Sequence, residues 1–446
     1  MTSLFWFRAS NHGKLKLRGI DAYNKGHYTK AIKYLSDYLK KYPKSHSELI
    51  CRAKAYINLQ DYNAAKKDLD VIVEIQPNAI EAWILRSHVC RNLKMTDQVL
   101  FSLGWALDLD PANQEALFHR AVCYYTRYNY REALNDVNIY LYRAPNEVPA
   151  IKLRAQVYHG LMNMQRSIAD LDKCEQINER DLEVMLLKAR VYRTFLAYED
   201  ALVELNKALY IDPNNAMAIG MRGDIYACMK LFTKAISDFD RSLALDPYHP
   251  YILLRRGELC SRMKDYPAAL LWFSRSLSKD PDNPKTLGWR AEIYFRIRQY
   301  DLAYRDAKKA LDIHPSEPVA LCAMGSILEE RKDYEGAIKC WTSAITGSSR
   351  TASLYYKRAS IYCRQKVYNL ALADANTAVR LEPRIPYMNL RGVCYYRLGR
   401  YEQALADFAI VLQSEPGNNT VREYVNTIHN VNEQMSIHSG SYTYPM

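Results

Sequence analysis

A chain of 446 residues with 61 Lys and Arg against 49 Asp and Glu has an excess of +12 and enough length for two or three ordinary domains. Its ten cysteines stand singly, with no CxxC pair and no metal-ligand spacing, which excludes a disulfide framework and points to reduced core thiols in a reducing compartment. The apolar run from Leu4 to Phe7 falls far short of the ~18 residues of a membrane span and lacks the flanks of a secretory signal.

In chain order, residues 1–11 form an N-terminal segment, expected to pack its apolar run against the first helix. From His12 the chain is periodic. Prolines recur every 34 residues at Pro43, Pro77, Pro111, Pro145, Pro213, Pro247, Pro281, Pro315 and Pro383, with Glu179 and Ser349 filling the two gaps. Proline cannot continue a helix interior, so each marks the end of a helical unit. Twelve units result, the last closed by Pro416. Eight positions into each stands a small residue (Gly19, Ala53, Ser87, Ala121, Ala155, Ala189, Gly223, Gly257, Ala291, Gly325, Ala359, Gly392), and twelve further on comes a second small column that is mostly alanine. Between them fall aromatic columns, such as Tyr124 and Tyr130 in the fourth unit, whose rings are expected to wedge into the gaps left by the small residues. After a Pro416-Gly417-Asn418 turn, Val421, Tyr424, Val425, Ile428 and Val431 recur at helical spacing.

This period and its small, aromatic and proline columns resemble the tetratricopeptide repeat family over about nine tenths of the chain. The resemblance implies an all-α fold, an α-α superhelix (solenoid) of twelve helix-turn-helix repeats over 12–418, with a capping helix over 419–435 and a flexible tail over 436–446. One uninterrupted stack is expected, with units three, five and ten, which depart most from the family pattern, as its weak joints.

Two charge columns carry a further structural expectation. A basic residue precedes each first small residue in eleven of the units, from Arg18 to Arg391, and an acid recurs sixteen residues later in eight of them, from Asp68 to Asp407. Bridges between the paired helices of a unit follow. The net charge sits at the two ends: the first unit holds nine bases and two acids, whereas units two to seven sum to −3.

In the family, ligands lie along the face made by the first helices. That face would be apolar at Ile50, Ile84 and Phe118, acidic at Asp224, Glu258 and Glu292, and basic at Arg262, Arg296, Arg364 and Arg397. Glu258 with Arg262, and Glu292 with Arg296, stand four apart and are expected to pair along their own helices. Arg364 and Arg397 have no such neighbour, and with Tyr356, Asn389 and Tyr396 they form the candidate partner-binding set. The carboxylate clamp of the chaperone-binding members is absent: Lys16 and Lys152 match its first position, but Ile20 and Gln156 stand where asparagine is required. There is no phosphate-cradling glycine loop, HExxH or glycine-flanked serine, and the ten histidines share no column.

The reading is a non-enzymatic scaffold or adaptor binding a protein or peptide in its groove, with no cofactor, no metal and no catalytic residue. Nucleic acid is not the expected partner. The alternatives are an adaptor holding polyanions (nucleic acid or anionic membrane) through its basic end repeats, or a regulatory subunit of a separate enzyme. The expected localisation is cytoplasmic, with the nucleus as the alternative.

Overall fold

The computed structural model describes residues 11–347 and 351–440, and every regular element among them is an α-helix. The Leu4–Phe7 run lies outside the described residues. The chain divides into two units, one up to Pro213 and one from Asn214. Pro213 occupies a regular place on the 34-residue ruler, so the sequence carries no mark of the division and suggested a single stack.

Unit 1 contains six helical hairpins: α1 (Asn11–Asn24) with α2 (Tyr28–Leu39), α3 (His46–Asn58) with α4 (Tyr62–Ile75), α5 (Ile80–Asn92) with α6 (Thr96–Leu109), α7 (Gln114–Thr126) with α8 (Tyr130–Arg143), α9 (Val148–Gly160) with α10 (Met164–Ile177), and α11 (Leu182–Thr194) with α12 (Tyr198–Ile211). Unit 2 repeats the pattern: α13 (Ala216–Cys228) with α14 (Phe232–Leu245), α15 (Pro250–Arg262) with α16 (Tyr266–Lys279), α17 (Pro284–Arg296) with α18 (Tyr300–Ile313), α19 (Pro318–Glu330) with α20 (Tyr334–Gly347), α21 (Ala352–Arg364) with α22 (Tyr368–Leu381), and α23 (Ile385–Arg397) with α24 (Tyr401–Ser414). It ends in α25 (Asn419–Gly440). The periodic prolines lie in the loops that follow the second helices. The aromatic column that contains Tyr130 supplies the first residue of those helices, as at Tyr28, Tyr62, Tyr198, Phe232 and Tyr266.

Each first helix stops in the same way. In the second hairpin the Asp61 N–H donates back to the Tyr56 carbonyl at 3.0 Å, and Gln60 between them takes φ 61°, the left-handed conformation of a Schellman cap. The same position is left-handed at Lys94, Tyr128, Met162, Leu196, Lys230, Lys264, Arg298, Lys332 and Lys366, and only Gly26 and Gly399 meet it with glycine.

The hairpins close on the first small column. A Cβ added to Gly257 would stand 2.4 Å from Phe273, one on Gly325 2.7 Å from Trp341, and one on Gly392 2.7 Å from Phe408. Gly19 faces Leu35 and Gly223 faces Phe239 in the same manner. Every one of these partners lies sixteen residues on. Where the small residue is alanine, the matching position holds a smaller side chain, such as Leu69, Val137, Leu171 or Ala307. The residues that fill the glycine gaps are therefore these second-helix side chains and not the tyrosine columns, which explains why Phe239, Phe273 and Phe408 are completely buried. Tyr130 does fill a gap, but it is the one at Gly160 in the following hairpin.

The basic column forms the expected bridges, as two-pronged forks. Nε and Nη2 of Arg120 donate to Asp136 at 2.8 Å each, and Arg52, Arg154, Arg222, Arg290, Arg358 and Arg391 engage the acid sixteen residues on in the same way. The free Nη1 often reaches sixteen residues backward as well, from Arg52 to Ser36 at 3.0 Å and from Arg358 to Thr342 at 3.0 Å. One guanidinium thus ties three helices. Lys188 breaks the pattern: it leaves Glu204 to Lys207 and bonds Asp172 and Glu175 instead, because an ammonium is a compact point charge without the planar fork.

Helix α25 covers the end of unit 2, with Val421 and Ile428 buried against Phe408 and Val411 and Tyr424 stacked on Phe408 at 5.6 Å. It runs on to Gly440, so residues 436–440 are helical where a flexible tail was expected. No helix breaker stands between Met435 and Ser439. Residues 441–446 lie outside the described set. No described helix is long and apolar enough to cross a membrane.

Two predictions follow from these contacts. Gly257→Ala destabilises unit 2 by about 1–3 kcal/mol through overpacking against Phe273, and adding Phe273→Leu recovers most of the loss by recreating the pair found at Ala53 and Leu69; denaturant midpoints of the three proteins check this. Leu196 is 69% exposed and left-handed, so Leu196→Gly relieves strain of roughly 1–2 kcal/mol against a chain-entropy cost of roughly 0.5–1, and the unfolding midpoint of unit 1 should rise.

Candidate partner-binding groove

In both units the first helices of successive hairpins lie side by side, joined by ion pairs. Lys54 of α3 reaches Glu81 of α5 at 2.6 Å, and Lys152 of α9 reaches Asp181 at 2.8 Å and Glu183 at 2.5 Å. Lys16 is bound to Glu48 at 2.6 Å. Both lysines that match the chaperone clamp are therefore engaged within the protein. In the basic first hairpin, Lys25 and Lys40 are likewise paired, with Asp21 and Asp37. The apolar end of the face is largely turned inward: Ile50 and Ile84 are buried, and Phe118 is half-buried, packed against the core and on Tyr140.

The acidic ladder of unit 2 is also turned inward. Arg255, which the column reading passed over, bonds Glu258 at 2.6 Å and lies 3.5 Å from Asp224, while its guanidinium sits 5.1 Å over the Tyr251 ring and the Tyr251 hydroxyl donates to Asp224 at 2.9 Å. Asp224 and Glu258 are almost fully buried. Burial opposes the charge on Arg255, but the two carboxylates outweigh it and hold the guanidinium firmly protonated. Glu258 is thus paired three residues back, not four residues on, and Arg262 is exposed. The second expected pair does form, Arg296 donating to Glu292 at 2.8 Å.

Beyond this cluster the face opens. Helices α17, α19 and α21 enclose a cleft of about 530 Å³, walled by Trp289, Val319, Cys322 and Leu354 with Trp341 beneath. Glu292, Arg296 and Lys357 also line it. Gly325 lets Trp341 approach so closely that any side chain there would collide with it. The indole N–H groups of Trp289 and Trp341 are buried and meet no acceptor. A larger hollow of about 990 Å³ lies in unit 1 between α10 and α12, but Lys188 already engages its acids Asp172 and Glu175.

None of the five residues singled out from the sequence lines the cleft. Arg364 is half exposed and lies 3.2 Å from Glu329 on the neighbouring α19, a partner that a search along its own helix could not find. Tyr356 packs on Tyr387 at 4.9 Å and is half-buried. Tyr396 is spent on the cap, 4.8 Å from Tyr424, and the exposed Arg397 lies over its ring at 5.7 Å. Asn389 is half-buried on α23. Tyr356 and Arg364 thus stand on α21, next to the cleft, and the other three on α23 toward the cap.

Comparison with known proteins gives the same architecture. Tetratricopeptide repeat models match residues 221–284 and 356–419, and two further models of that description match 17–45 and 52–78. The chain is similar to serine/threonine-protein phosphatase 5 of Homo sapiens (35% identical over 86 residues, 19% of this chain and 17% of that protein) and to the Protein SGT1 homolog of Oryza sativa subsp. japonica (40% over 75 residues, 17% and 20%). It therefore spans about a fifth of the length of these relatives. Among solved structures, that of the APC/C hetero-tetramer Cut9-Hcn1 aligns with 94% of this chain and 96% of its own at 14% identity and a TM-score of 0.53. A tetratricopeptide repeat protein from Parabacteroides merdae covers 52% of this chain at 22% identity and a TM-score of 0.51. At these identities the structural likeness concerns the fold alone.

The buried cluster yields a test of its structural role. Arg255→Ala strands Asp224 and Glu258 without their cation and should cost about 3–5 kcal/mol, whereas Arg262→Ala on the same helix, at an exposed position, should change stability by less than about 0.5 kcal/mol; thermal unfolding of both variants distinguishes them.

Proposed function

Since the chain is a multi-repeat tetratricopeptide repeat protein, we propose that it acts as a non-enzymatic adaptor that seats a partner peptide or helix on the first-helix face of unit 2. The observation that carries this reading is the cleft between α17 and α21. It combines apolar walls and, in Arg296 and Lys357, cations at its lining. An apolar side chain of the partner enters the cleft against Trp289, Val319 and Leu354. Its acidic residues run on toward Arg364 and Arg397, with Tyr356, Asn389 and Tyr396 as flanking contacts. A preformed groove loses little entropy on binding, which favours recognition of an extended segment.

The fold favours an interaction role over catalysis, and the likeness to phosphatase 5 is confined to a short part of that enzyme. Polyanion binding through the first hairpin is the alternative reading; of its nine bases, Lys16, Lys25 and Lys40 are paired within the protein.

Affinity capture with the intact chain, followed by mass spectrometry, should recover partners that the triple variant Lys357→Glu, Arg364→Glu, Arg397→Glu loses by at least ~10-fold. Capture unchanged by the three reversals would remove this face from the site. A steep loss of binding between low and moderate salt would favour polyanion recognition instead.

A further inference from the structure

The face of unit 1 carries a side-chain cluster that no column of the sequence announces. His88 on α5 and Glu115 and His119 on α7 each present one donor atom, and the three atoms lie within 4.8 Å of one another. His88 Nε2 is buried, makes no hydrogen bond and faces Glu115 Oε1 at 3.5 Å. The two imidazoles meet edge to face, with ring centroids 4.6 Å apart. Glu115 and His119 are four residues apart and so share one helix face. Beneath them lies a cavity of about 170 Å³ with Val99, Val122 and Cys123 in its walls.

We propose that His88, Glu115 and His119 form a binding site for a first-row divalent cation, with zinc the best match, and with the fourth coordination position open to the groove. The donor set, two imidazoles and one carboxylate, is that of a three-ligand zinc centre. Bonds of roughly 2.0–2.1 Å in a tetrahedron put ligand atoms roughly 3.3 Å apart, and the His88 to Glu115 separation is already close to that value.

Arg91 is the internal competitor. Its Nη1 lies 3.2 Å from His119 Nδ1, where a guanidinium can only donate. A metal on Nδ1 takes the lone pair Arg91 uses, and a metal on Nε2 leaves Nδ1 protonated against Arg91. Either way the exposed Arg91 side chain swings aside when the cation enters.

The test is titration of the full chain with Co²⁺, followed by visible absorption and calorimetry. One equivalent should give tetrahedral d–d bands without the intense near-ultraviolet thiolate charge transfer that the ten cysteines would produce. Outer-shell partners alone are worth roughly 10–100-fold in affinity, so His119→Ala and Glu115→Gln should weaken binding by more than ~10-fold, and Arg91→Gln should tighten it. Glu115 is exposed, so Glu115→Gln leaves the fold intact. Equal affinity of Glu115→Gln and wild type, or absorption of the thiolate type only, overturns the assignment.

Discussion

The structure depends on how closely the two helices of each hairpin approach. That distance is set at one contact, between the eighth residue of the first helix and the residue sixteen positions later. Glycine there admits Phe239, Phe273, Trp341 or Phe408; alanine accompanies leucine, valine or alanine. The four rings stand only against glycine, so bulk on the second helix is met by the loss of a methyl on the first, as a close-packed interior requires. Because each hairpin is held at a similar spacing, its neighbour can stack on it, and stability becomes a sum of hairpin and interface contributions.

The arginine forks act across this packing. A guanidinium seated between paired helices, with its remaining nitrogen on the preceding hairpin, fixes the rotation of one hairpin against the next. The nearly buried carboxylates of Asp136, Asp306 and Asp407 are tolerable only because two donors reach each of them. With these duties carried by two columns, the first-helix face is released from folding requirements and can differ from repeat to repeat. It does so: sealed ions around Arg255, an open cleft at Trp289, histidines at His88 and His119.

This division explains what was legible in the sequence. The period, the helix pairs and the arginine bridges were readable because identical offsets repeat, and the cap because its apolar residues fall at helical spacing. The size complement across sixteen residues is also present in the sequence, in the coincidence of glycine with Phe239, Phe273, Trp341 and Phe408. The surface features were harder to find because they break the columns. Arg255 acts once; His88 and His119 come from different offsets of adjacent repeats; Arg364 meets Glu329 across helices. Comparison of equal positions cannot see contacts between unequal ones. The N-terminal apolar face failed for a related reason, since Ile50 and Ile84 point into the seam and not out of it.

The left-handed turn residues have one further consequence. Ten hairpins hold a side chain in that conformation, and among the described residues only the first hairpin of unit 1 and the last of unit 2 use glycine. A side chain held left-handed costs roughly 1–2 kcal/mol, which the packing of its own hairpin has to offset. At Gly26 and Gly399 that cost is absent, so the hairpins α1–α2 and α23–α24 hold their turns with less help from side-chain packing.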